Sequence, residues 1–150
     1  MSAVMAKPPR VLLVEDNEND ELLALHALHG AGIVCDIEVA RDGEEAITRL
    51  LVEGDTGAAA TPDLVLLDLN LPKVDGHEVL RRMRADERTR NTPVVVLTTS
   101  RETQDVARAY QLGANSFVCK PIDFDEFQSC TRLILTLWLK LNVVPPGGTC

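Results

Sequence analysis

The chain has 150 residues, 45% of them hydrophobic and 25% charged, which is the size and balance of one compact domain and not of a disordered segment. A formal net charge of −8 and an aromatic content of 3% leave neither a phosphate-neutralising face nor a base-stacking platform, so no nucleic-acid partner is expected. No run of about 18 apolar residues could span a membrane and no signal-like N-terminus is present, so the expected compartment is the cytoplasm, with no membrane partner. The four cysteines, Cys35, Cys119, Cys130 and Cys150, form no CxxC pair or metal-finger spacing and read as small apolar residues.

Residues 1–9 read as a tail. The run RVLLV, Arg10 to Val14, is short, apolar and bounded by polar residues, which predicts a buried strand. Glu18 to His29 is rich in Leu, Ala and Glu and predicts a helix closed by Gly30 and Gly32. His26 and His29 have a spacing a metal could use, but no carboxylate or cysteine joins them, so they read as a solvated helix face. VCDIEVA, Val34 to Ala40, alternates and predicts an edge strand with one wetter side. In DGEEAITRLL, Asp42 to Leu51, an N-cap aspartate, acids in the first turn and Arg49 in the last complement a helix dipole. EGDTGAAATP, Glu53 to Pro62, is small, polar and Gly-rich, hence a loop.

DLVLL then predicts a third strand, DGHEVLRRMRADE (Asp75 to Glu87) a third helix, and PVVVL (Pro93 to Leu97) a fourth, almost purely β-branched strand. Glu102 to Leu112 predicts a helix stopping at Gly113, SFVC (Ser116 to Cys119) a brief strand, and Asp123 caps a last helix running towards Asn142. One domain over 10–144 and a tail over 145–150 follow. Strands alternating with helices, each crossover too long for a hairpin, mean an α/β doubly wound five-stranded parallel sheet with helices on both faces.

In such a sheet the site lies beyond the carboxyl ends of the strands. Glu15 and Asp16 follow the first strand, Asp68 the third, Thr98 and Thr99 the fourth, and Lys120 and Pro121 the fifth. Converging acids repel one another unless a hard cation holds them, and Mg²⁺ takes oxygen ligands from one or two carboxylates while leaving positions for phosphate and water. A carboxylate in that setting can act as a nucleophile and become an aspartyl phosphate, with a lysine and a hydroxyl stabilising the charge on the transferred group. Asp68 as phosphoacceptor, with Thr98 and Lys120 beside it, accounts for all these groups at once.

The stretches LLVEDNENDE, LVLLDLNLPKVDG, PVVVLTTS and FVCKP resemble the receiver domain of two-component response regulators over residues 10 to about 140, most closely the single-domain regulators that partner bacterial phytochrome histidine kinases. The resemblance implies the flavodoxin-like strand order 2-1-3-4-5 and Mg²⁺, or Mn²⁺, as cofactor. It implies Asp16 and Asp68 as direct metal ligands, Glu15 acting through a water, and the backbone carbonyl of Asn70 as a further ligand. It also implies Asp68 as the phosphorylated residue, Lys120 pairing with the phosphoryl group, Thr98 and Phe117 as the switch, and a cis bond before Pro121. Phe at 117 has no hydroxyl, so the switch would be read by packing alone.

With no effector after residue 150, output is expected to be protein contact through the surface of the fourth helix, fifth strand and fifth helix. The last helix is apolar nearly all round, so Leu133, Leu137, Trp138 and Leu141 are expected to form a homodimer interface. The expected partner is a sensor histidine kinase, with a histidine phosphotransfer protein as a possible onward acceptor. The rival readings are weaker. A haloacid dehalogenase-like phosphatase needs a second acid where Asn70 stands, a flavin module would not place the acidic EDNEND where a phosphate loop belongs, and a phosphorylation-independent interaction module leaves the acids without a purpose.

Overall fold

Alternation along each strand decides which side chain faces which layer of helices. The computed structural model describes residues 7–52 and 61–145. β1 (Arg10–Val14), β2 (Asp36–Ala40), β3 (Leu64–Leu67), β4 (Val94–Thr98) and β5 (Ser116–Cys119) pair in parallel in the order β2-β1-β3-β4-β5. Every residue of β3 and β4 is buried, which is why these runs carry no polar alternation. β2 lies at an edge, as its wetter sequence implies.

α1 (Glu18–Gly30) and α5 (Phe124–Leu135) cover one face. There Val11, Leu13, Leu66 and Val95 pack with Ala24 and Leu28 of α1 and with Phe127, Ile134 and Leu135 of α5. α2 (Gly43–Ile47) and α3 (Gly76–Ala85) cover the other, where Leu12, Val14, Val65, Leu67 and Val94 meet Ala46, Val79, Leu80 and Met83. Each such leucine contributes roughly 2 kcal/mol by leaving water. α4 (Thr103–Gln111) completes that face over a smaller group of Leu69, Val96 and Ala109.

Four helices begin at side-chain caps, of which Asp42 and Asp123 are the ones read from the sequence. Asn17, Asp42, Asp75 and Asp123 each accept the backbone N–H three residues on, whereas Glu102 makes no such bond ahead of α4. Two helices end in wider turns, α2 running into a π-helical stretch Thr48–Val52 and α5 into Thr136–Leu141. The strand expected from Val34 starts at Asp36, because the parallel ladder begins where Asp36 donates to the Pro9 carbonyl at 2.8 Å.

One expectation is corrected outright: no peptide bond among the described residues is cis, so the bond before Pro121 is trans. An X–Pro bond keeps a trans preference of about 0.5–1 kcal/mol unless a specific contact selects cis. The loop expected over 53–62 lies mostly outside the described residues, as do 1–6 of the N-terminal tail and 146–150 of the C-terminal one. Among the described residues no helix is long and apolar enough to cross a membrane.

At the amino edge of β4 and β5, Arg84 ties the loops together. Its Nε donates to the Gly113 carbonyl at 2.9 Å, its Nη1 to the carbonyls of Thr89, Arg90 and Thr92 at 3.2, 3.1 and 2.8 Å, and its Nη2 to Asn115 Oδ1 at 2.9 Å.

Candidate functional site

Because all five strands run the same way, the residue after each emerges at one edge. The ladder carries them slightly beyond the strands proper: Glu15 N–H donates to the Ala40 carbonyl at 3.0 Å, Asp68 N–H to that of Val14 at 3.1 Å, and Lys120 N–H to that of Thr98 at 2.8 Å. These bonds fix Glu15, Asp68 and Lys120 on rigid backbone and leave their side chains to converge. Gly76 lets the loop after β3 fold back beneath Asp68, since a Cβ there would stand 2.4 Å from the Asp68 carbonyl oxygen and 2.6 Å from Leu69 Cα.

Carboxylate oxygens of Glu15, Asp16 and Asp68 all lie within 4.8 Å of one another; Glu15 and Asp68 are buried and Asp16 is exposed. Asp68 accepts from Thr98 Oγ1 at 2.9 Å, from the Asn70 N–H at 3.2 Å and from Lys120 Nζ at 3.3 Å. Lys120 also donates to Glu15 and, at 3.3 Å, to Asp20. Its side chain is only 8% exposed.

The charges do not balance. Burial above all pushes the Glu15 carboxyl up to about 7, the Lys120 hydrogen bond pulls it back, and the charge on Asp68 pushes it further up. Burial alone would lower Lys120, but the Glu15 hydrogen bond and the charges of Asp68, Glu15 and Asp20 outweigh it and hold the ammonium above its usual range. The donor set fits a hard divalent cation. Three carboxylates of which two are buried, with one ammonium between them, leave negative charge uncompensated, and oxygen-only ligands suit Mg²⁺ or Mn²⁺.

Thus Glu15, Asp16, Asp68, Thr98 and Lys120 come together as the sequence places them. Asn70 is exposed, and the contact it makes with the cluster is through its N–H. Phe117 is half-buried against the small core under α4, and its backbone N–H donates to the Tyr110 hydroxyl at 3.1 Å. Of the four residues expected at a dimer interface, Leu133, Leu137 and Leu141 are exposed, while Trp138 packs against the core beneath α1 and α5.

Asp20 was not among the sequence-predicted site residues. The usable signal was its place in the first turn of the helix that follows the Glu15–Asp16 strand end, one turn from the site. His26 and His29 join no metal-holding group among the described residues, and His26 instead lies 5.2 Å from the Phe124 ring.

A flavodoxin-like sheet whose carboxyl edge gathers three acids, a buried threonine and a lysine is the arrangement of phosphoacceptor receivers, and the response regulator receiver domain family matches residues 11–132. The chain belongs to that family. It is 45% identical over 136 residues to the probable methanogenesis regulatory protein FilR2 of Methanothrix harundinacea, covering 90% of this chain and 86% of that protein. It is 36% identical over 141 residues to response regulator Rcp1 of Synechocystis sp., covering 93% and 96%. The crystal structure of the Mn²⁺-bound form of Rcp1 resembles it with a TM-score of 0.82 at 35% identity, over 93% of this chain and 100% of that one. The phosphorylated cyanobacterial phytochrome response regulator RcpA does so with a TM-score of 0.84 at 37% identity, over 93% and 99%.

Proposed function

We propose that this receiver is a single-domain response regulator, one domain over 10–144, that accepts a phosphoryl group from a sensor histidine kinase onto Asp68. The observation that carries the reading is the convergence of the Thr98 hydroxyl and the Lys120 ammonium on the Asp68 carboxylate beside Glu15 and Asp16. Asp16 and Asp68 would ligate Mg²⁺ or Mn²⁺ directly, Glu15 through a water, and Asn70 through its carbonyl. The bound cation supplies charge neutralisation at the phosphoryl oxygens.

In the transfer, an Asp68 carboxylate oxygen forms the new bond to phosphorus while the phosphorus–nitrogen bond of the donor's phosphohistidine breaks, the electron pair leaving with the imidazole. Lys120 donates to one phosphoryl oxygen and Thr98, released from Asp68, to another. That movement of Thr98 opens space on the α4–β5 side, where Phe117 repacks, so the surface of α4, β5 and α5 carries the output. The chain catalyses only its own phosphorylation and dephosphorylation.

RcpA is a phytochrome response regulator, which supports a bacteriophytochrome histidine kinase as the donor. The cytoplasm, and a histidine phosphotransfer protein as an onward acceptor, belong to the same proposal, and the net charge of −8 speaks against a nucleic-acid partner. A homodimer through the exposed Leu133, Leu137 and Leu141 belongs to the same proposal. Leu133→Glu tests it better than a change at Trp138, which would also disturb the core. A halved light-scattering mass is expected, and an unchanged mass removes that interface.

Incubation with acetyl phosphate tests the central reading. The wild type should gain one phosphoryl mass only when Mg²⁺ is present, and Asp68→Asn should gain none. No adduct on the wild type would overturn the proposal.

A further inference from the structure

Lys120 Nζ carries three N–H donors and meets three carboxylates, Glu15, Asp20 and Asp68. Two of these belong to the group whose oxygens lie within 4.8 Å of one another, but Asp20 does not. Its place is nonetheless fixed. Asn17 Oδ1 accepts the Asp20 N–H at 2.9 Å, and the neighbouring Glu21 is held by a two-pronged Arg41 contact, both bonds 2.9 Å. Asp20 therefore stands on a rigid first turn at the mouth of the site, 37% exposed, facing a lysine that is almost fully covered.

A cation held by Glu15, Asp16 and Asp68 would draw on two of the three acceptors of Lys120 and repel its ammonium. Asp20 is the one acceptor outside the cation's reach. Resting on the phosphoacceptor reading above, we infer that Asp20 is a positioning residue for phosphoryl transfer: it keeps Lys120 aimed at Asp68 while the other carboxylates are engaged. Lys120 then lies between a fixed carboxylate on the solvent side and the phosphoryl oxygens on the other, and needs no reorientation when the group arrives. The competing account is that Asp20 only complements the positive end of α1, as acids in a first turn do. That role would be indifferent to what stands at position 120.

The test is a double-mutant cycle with acetyl phosphate and Mg²⁺ on the full chain, using Asp20→Ala, Asp20→Glu, Lys120→Met and the Asp20→Ala/Lys120→Met pair. Asp20→Ala should slow phosphorylation about tenfold when Lys120 is present and have no further effect beside Lys120→Met, while Asp20→Glu should recover most of the rate. A second readout is metal affinity. Asp20→Ala should lower the maximal rate of phosphorylation and leave the Mg²⁺ affinity unchanged, because Asp20 lies outside the group of acids within 4.8 Å of one another. An equal slowing in both lysine backgrounds, or no recovery in Asp20→Glu, overturns the positioning role and leaves the phosphoacceptor reading standing. A wild type that takes no phosphoryl group removes both.

Discussion

Two cations sit at opposite edges of the same sheet, and their surroundings differ in kind. At the amino edge Arg84 reaches only neutral oxygens, four backbone carbonyls and one amide, and burial pulls its pKa down with no carboxylate to restore it. At the carboxyl edge Lys120 reaches three carboxylates, with Asp16 close by as a fourth. The first arrangement is complete: four acceptors are backbone carbonyls, and the fifth, Asn115 Oδ1, is itself held by the Val94 N–H at 2.8 Å. The second carries surplus negative charge on side chains that can change partners. A network of neutral acceptors holds loops together, and a surplus of acids invites a cation and a phosphoryl group.

The largest expected effect breaks the complete edge. Arg84→Ala leaves several carbonyls without their donor and should cost about 3 kcal/mol in urea unfolding, with the Mg²⁺ response intact. Arg84→Lys should recover only part, because an ammonium cannot reproduce the planar fork. At the other edge the sign reverses, since adding charge stabilises. Mg²⁺ at about a hundredfold excess over its Kd should raise the unfolding free energy by about 2.7 kcal/mol. Asp16→Asn should remove most of that gain, and a gain that survives in Asp16→Asn would place the cation elsewhere.

The same edge should show a characteristic pH dependence. With the Glu15 carboxyl raised from 4.5 to about 7, its contribution to metal-free stability is fully present below 4.5 and is lost as pH rises through about 7. Melting temperatures in EDTA should fall over that window, and Mg²⁺ should abolish the fall because it favours the charged form. The smallest effect concerns the surface of α3. Hydrogen bonds from Arg81, then Arg82, hold the Glu78 carboxyl down at about 2, so its contribution is present above 4.5 and lost as pH falls towards 2. Screening at this exposed site should make the loss small, and Glu78→Gln should leave the midpoint at pH 7 nearly unmoved.

What the sequence made legible was what is local. β3 and β4 read as pure apolar runs because both faces of those strands are covered, and the caps at Asp42 and Asp123 read directly because a capping side chain bonds its own neighbourhood. The convergence of Glu15, Asp68, Thr98 and Lys120 was legible because parallel strands deliver their ends to one edge. What was not legible depends on distant packing. Trp138 looked like its apolar neighbours until the turn of Thr136–Leu141 set it against the core, and Tyr110 and Phe117 meet only once α4 lies beside β5. Arg84 read as one of several arginines on a helix, and nothing within α3 announces that its partners lie in two other loops.

The most direct test of the whole account is to find where the phosphoryl group goes. After treatment with acetyl phosphate and Mg²⁺, borohydride reduction converts an acyl phosphate to the corresponding alcohol, which peptide mass spectrometry then locates. Homoserine is expected at position 68 alone. Label at Glu15, Asp16 or Asp20, or a phosphoryl group on a histidine, would contradict it.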